Sequence, residues 1–96
     1  DGEFQLDAAI VPATAAKKVH RESKVAGKAN VLIWPDLNVG NTAVKLIQQF
    51  GNADAYGPML QGFNSVICDC SRGAPVSEIK GNIVISALRA AGSKRK

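Results

Sequence analysis

Asn30-Val31-Leu32-Ile33-Trp34 restricts the fold more than any other segment. Its apolar residues are continuous rather than alternating, which fits a short strand buried on both faces, as in a parallel sheet. Pro35-Asp36-Leu37-Asn38-Val39-Gly40-Asn41 follows as a turn-rich loop. Thr42 to Phe50 then returns to helical period, with Val44, Ile47 and Phe50 roughly on one side, and Gly51-Asn52 as its stop.

The rest of the chain repeats this alternation. Phe4 to Lys18 reads as a helix, because Leu6, Ala9, Ile10 and Ala13 recur at i, i+3, i+4 and i+7. Pro12 lies inside that pattern, so it either kinks the helix or marks a later start. His20 to Lys28 is polar and reads as a loop. Ala53 to Gln61, interrupted at Gly57-Pro58, and Ser65 to Cys70 are two further strand candidates. Val76 to Ala91 is the clearest helix: Ile79, Ile83 and Leu88 help form its apolar stripe, Ser77 is placed to cap its start, and Gly92 follows its end. The order predicts an α/β fold, mainly parallel sheet with flanking helices. No internal repeat or flexible linker divides it.

Composition excludes several classes. At 46% hydrophobic and 21% charged, the 96 residues match a globular chain and not a disordered one. The longest apolar runs, Val31 to Trp34 and Ile83 to Ile85, fall far short of the ~20 residues that span a bilayer. No basic and apolar leader follows Asp1-Gly2-Glu3, and the missing initiator Met points to a piece of a longer chain or a processed one. The net charge of +4 comes largely from Lys17, Lys18, Arg21, Lys24, Lys28 and Lys94-Arg95-Lys96. With 5% aromatics and no interleaving of aromatic and basic residues, it does not describe a nucleic-acid platform. Cys68 and Cys70 are too close for an unstrained bridge, and His20 is the only histidine, so neither a disulfide nor a metal site is expected. Two reduced thiols in a cytoplasmic protein are the expectation.

Two stretches carry more polar chemistry than packing requires. In Pro35 to Asn41, Asp36, Asn38 and Asn41 either satisfy their own turn or face a ligand at the end of a strand. In Cys68 to Glu78, Arg72 is either a fork for phosphate or a surface partner of Asp69. Ser71 offers a hydroxyl donor to a reacting oxygen. Glu78 is either a general base or an acidic residue favouring the helix dipole. No serine elbow, P-loop or dinucleotide fingerprint is present.

Five blocks resemble the phosphate acetyl/butyryltransferase family, in the family's order: Asp1 to Ala9, Val25-Ala26-Gly27-Lys28-Ala29-Asn30, Pro35 to Asn41, Gly57-Pro58-Met59-Leu60-Gln61-Gly62, and Asp69-Cys70-Ser71-Arg72-Gly73. The resemblance implies the C-terminal part of a two-subdomain α/β/α acyltransferase. Residues 1–62 would belong to the second subdomain, and residues 63–96 would return to the first, against which the final helix packs. It implies reversible acetyl transfer between acetyl-CoA and phosphate, giving acetyl phosphate and CoA. The complete enzyme would be a homodimer, with coenzyme A as a substrate and no covalently bound cofactor, metal, nucleic acid or membrane.

Carried over by resemblance, Ser71 and Glu78 are catalytic, while Arg72, with Asn38 and Asn41, binds phosphate or substrate. The family usually has aspartate where Glu78 stands, and Lys-Pro-Val-Asn-Asp-Leu where this chain reads Ser65-Val66-Ile67-Cys68-Asp69-Cys70. Such departures leave two alternatives: a butyryl or other acyl preference, or a non-catalytic acetyl-CoA-binding domain like that fused to malic enzymes. The 96 residues alone are expected to be inactive.

Overall fold

A computed structural model describes residues 1–93; Lys94-Arg95-Lys96, the basic tail, lies outside the described residues. The chain forms two compact units, Asp1–Leu37 and Asn38–Lys96.

In the first unit the expected long helix is two. α1 spans Leu6–Ile10 and α2 spans Pro12–Lys18, with Val11 extended between them. Pro12 causes the break: it sits comfortably at the first position of α2 but has no N–H for the Ala8 carbonyl. That carbonyl takes the N–H of Gly27 instead, at 2.9 Å, and the neighbouring Ala9 carbonyl takes that of Ala29 at 3.0 Å. The break is thus what docks the Val25 to Asn30 stretch onto the helices. Gly27 has φ +78°, and a Cβ there would stand 2.7 Å from the Pro12 Cα, so only glycine fits. Ala8, Ala9 and Ala15 form a small buried core around it.

The N-terminus is tied down by polar contacts. Arg21 pairs with Asp1 at 2.8 Å, donates to the Gly2 carbonyl at 2.7 Å and lies 4.9 Å from the centre of the Phe4 ring. The Ser23 hydroxyl accepts from the N–H groups of Val25 and Ala26, which turns the chain towards Gly27.

The parallel sheet expected from the sequence is not formed among the described residues. Asn30 to Trp34 makes no ladder, and Ile33 is 89% exposed. A strand exists only with a neighbour to take its backbone hydrogen bonds, and no described segment pairs with this one in a ladder. The other two strand candidates meet in a single antiparallel bridge, Met59 to Cys68, flanked by Leu60 N–H to Ile67 C=O and Asp69 N–H to Pro58 C=O, both at 3.1 Å.

The second unit holds two longer helices. α3 spans Leu37–Phe50, so the expected loop through Asn41 is mostly helix. Within it Thr42 donates its hydroxyl back to the Asn38 carbonyl, four residues earlier, at 2.8 Å. Asn52, in the left-handed region at φ 48°, ends it as anticipated. α3 buries no residue, and Phe50 is 86% exposed. α4 spans Val76–Ser93. Ser77 lies within its first turn and not at its cap. α3 and α4 do not pack on each other.

Candidate functional site

α4 is amphipathic in an unexpected sense. Glu78 and Asn82 are its buried residues, at 9% and 4% exposure, and Gly81, Ile85, Ser86 and Arg89 are half-buried beside them. Of the apolar stripe read from the sequence, Ile83 and Leu88 are largely exposed, at 64% and 68%, and Ile79 is 38% exposed beside Cys68 and Asp69. Helical spacing places 78, 82, 86 and 89 on one face, and that polar face is what the loops of this unit pack against.

Three of these side chains grip one extended segment. Asn82 Oδ1 accepts the Gly57 N–H at 2.7 Å, and its Nδ2 donates to the Gly57 carbonyl at 3.2 Å. The Ser86 hydroxyl lies 4.0 Å from Met59 Sδ. Arg89 Nη2 donates to the Leu60 carbonyl at 2.9 Å, while its Nη1 is enclosed without an acceptor. Through the Met59–Cys68 bridge the segment aligns Ile67 to Asp69, and Asn82 Nδ2 also reaches the Asp69 carbonyl at 3.4 Å.

The chain then turns. Asp69 Oδ1 accepts the Cys70 N–H at 2.8 Å, and the Ser71 carbonyl accepts the Ala74 N–H at 2.9 Å, closing a tight turn over Arg72-Gly73. Ser71 is half-buried and Arg72 exposed, with no ion pair to Asp69. α4 begins directly after this turn, and its first-turn carboxylate is the buried Glu78. An open groove of about 410 Å3 runs alongside, lined in part by Cys68, Asp69, Cys70, Ile79 and Asn82. Both cysteines are free, and the Cys68 thiol contacts the Asp69 carbonyl at 3.2 Å.

Ser71, Arg72 and Glu78 therefore occupy one turn and the helix start that follows it. Asn38 and Asn41 do not join them. They lie on α3, along a shallow groove shared with Thr42, Lys45 and Gln49, and α3 makes no packing contact with α4. Asn82 and Arg89 were not anticipated. Their signal was a polar residue every three to four positions, interrupting an otherwise apolar helix.

Among the described residues no group of three His, Cys, Asp or Glu side chains stands close enough to hold a metal ion. No helix among them is long and apolar enough to cross a membrane.

Residues 1–87 match the family described as Phosphate acetyl/butaryl transferase. The phosphate acetyltransferase of Acetivibrio thermocellus is 52% identical over 90 residues, which cover 94% of this chain and 27% of that enzyme. That of Borreliella burgdorferi is 58% identical over 79 residues, covering 82% of this chain and 22% of the enzyme. That of Corynebacterium glutamicum is 49% identical over 92 residues, 96% of this chain and 28% of the enzyme. The chain thus spans about a quarter of the length of the curated relatives it matches.

Proposed function

Because the chain belongs to the Phosphate acetyl/butaryl transferase family, we propose that it supplies part of the active site of an acyltransferase. The reaction is acetyl-CoA plus phosphate to acetyl phosphate plus CoA, and its reverse. One observation carries this reading for the site: the tight Ser71–Ala74 turn, with its exposed arginine, runs straight into a helix whose first-turn carboxylate is buried.

In the direction of acetyl-CoA synthesis, Glu78 takes the proton from the coenzyme A thiol. The sulfur attacks the acetyl carbonyl, the S–C bond forms, and the C–O bond to phosphate breaks. Ser71 donates a hydrogen bond to the oxygen on which charge develops. Arg72 holds the departing phosphate in a bidentate pair. The exposure of Arg72 suits this role, since a planar guanidinium with no partner within the segment is free to meet an anion. Asn38 and Asn41, which line a separate groove on α3 here, would contact substrate only in the cleft of the complete protein.

The exposed apolar faces support a larger assembly. α4 turns Ile83, Val84 and Leu88 outward, and Val31 to Ile33 are exposed with no strand beside them. Exposed apolar surface of this kind marks interaction sites. In the complete protein, residues 1–62 would belong to one subdomain and 63–96 to the other, with Asn30 to Trp34 drawn into a parallel sheet. A cytoplasmic homodimer with coenzyme A as a substrate, and no covalently held cofactor, is the form proposed. The family's own description leaves butyryl as a second acyl group.

The test is phosphate-dependent release of the coenzyme A thiol from acetyl-CoA by the complete protein, compared with butyryl-CoA. Glu78→Gln should abolish most of it. Release that needs no phosphate, or that survives Glu78→Gln intact, overturns the assignment.

A further inference from the structure

Asn82 is the most buried polar side chain among the described residues, and its hydrogen bonds lead to two separate pieces of backbone. On one side it takes the Gly57 N–H and returns a bond to the Gly57 carbonyl. On the other it reaches the Asp69 carbonyl, two residues before Ser71. One helical turn earlier, on the same face of α4, stands Glu78. A single amide therefore bonds the helix bearing Glu78 directly to the segment that feeds Ser71 and Arg72, beside the indirect link through Arg89, Leu60 and the Met59–Cys68 bridge. No other side chain of α4 bonds to residues 67–73 among the described residues. Arg89 and Ser86 hold only the Met59–Leu60 stretch.

We infer that Asn82 is a positioning residue: it fixes the Ser71-Arg72 turn relative to Glu78 in the acyl transfer proposed above, and in that respect rests on that reading. The chemistry requires an amide. Asparagine presents an acceptor and two donors from one group, and the site uses both kinds. Aspartate keeps the acceptor for the Gly57 N–H but sets a carboxylate oxygen against the Gly57 and Asp69 carbonyls. The Asp69 side of the clamp is then pushed away, and Arg72 moves with it. A displacement of about 1 Å in a reacting site can cost about 100-fold in rate.

The experiment uses the complete protein with Asn82→Asp, Arg72→Gln and the double variant. Asn82→Asp should raise the KM for phosphate about 10-fold or more while the KM for coenzyme A stays within about two-fold. In the double variant, Asn82→Asp should add little to the phosphate KM already raised by Arg72→Gln, because both act through one guanidinium. A merely structural asparagine would lower the melting temperature and the active fraction with both KM values unchanged, and that result overturns the inference.

A native protein without acetyl transfer would sink the functional reading alone. The clamp is then judged by amide hydrogen exchange. Asn82→Ala should speed exchange at Gly73 and Ala74, whose N–H groups point to Ser71, relative to Gly27 and Ala29 in the other unit. If Asn82→Ala does not fold, Asn82→Asp carries the same measurement. Unchanged exchange at Gly73 and Ala74 overturns the inference.

Discussion

The ring of Tyr56 occupies the space that a Cβ on Gly81 would need, with its Cδ1 and Cε1 atoms against the helix backbone. Glycine inside a helix normally costs about 1 kcal/mol relative to alanine. Here the tyrosine takes that space, so Gly81→Ala should destabilise, because overpacking costs about 1–3 kcal/mol. In a Tyr56→Ala background the same change should stabilise by about 1 kcal/mol. Urea denaturation of the four variants of the complete protein gives the sign directly, and equal effects in both backgrounds would refute the contact.

Arg72 is exposed and unpaired on a turn held at Ser71 and Ala74. Arg72→Ala should raise the KM for phosphate or acetyl phosphate strongly, since removing a charged hydrogen-bond partner commonly costs about 2–5 kcal/mol. Steady-state kinetics with varied phosphate read this out. Unchanged kinetics would remove Arg72 from the site.

Cys68 and Cys70 are free thiols beside the groove, and no histidine lies near them in sequence to activate a thiolate. Acyl transfer should therefore pass directly between phosphate and coenzyme A. The double variant Cys68→Ala, Cys70→Ala should keep its activity, and mass spectrometry should find no acetyl thioester on either sulfur. An acetylated cysteine in a trapped turnover would reverse this.

Lys18 donates to Asp7 at 2.6 Å and to Gln5 at 2.8 Å, bridging α2 back to α1 and the residue before it. That hydrogen bond, aided by the Ala8 N–H and the lysine charge, holds the Asp7 carboxyl below its ordinary value. A carboxyl depressed in the folded state adds stability above its unfolded pKa and loses it as pH falls through the folded one. The pair is exposed, so the effect on stability is small. The titration is the better measure: carbon-detected NMR should show the Asp7 pKa rising in Lys18→Met, and an unchanged value would show that the ammonium is not its partner.

Local signals in the sequence are legible where a residue acts on its own backbone. Pro12 announces a kink or a later helix start, Gly51-Asn52 a helix end, and Ser71-Arg72-Gly73 a loop before a helix. Signals that depend on what lies alongside are not. Val31 to Trp34 carries the composition of a buried strand, but strand structure requires a neighbour that the described residues do not provide. The stripe of Ile79, Ile83 and Leu88 does not form the packed face of α4 among the described residues. Periodicity cannot say whether a face meets this segment's own loops or something else, and here the loops are bonded by Asn82 and Arg89 instead. Asn82 and Arg89 do not stand out in the sequence, because a polar residue in a helix is ordinarily a solvated one.

The reversed faces of α4 bear on how substitutions at its positions would be coupled through evolution. A change at Asn82 meets its compensation close at hand, at Gly57 or Asp69, so those positions should drift together within this stretch of sequence. Ile83 and Leu88, by contrast, are largely exposed among the described residues. If their face is covered in the complete protein, their covariation partners should lie outside these 96 residues, and the outward half of the helix would record the history of another part of the molecule.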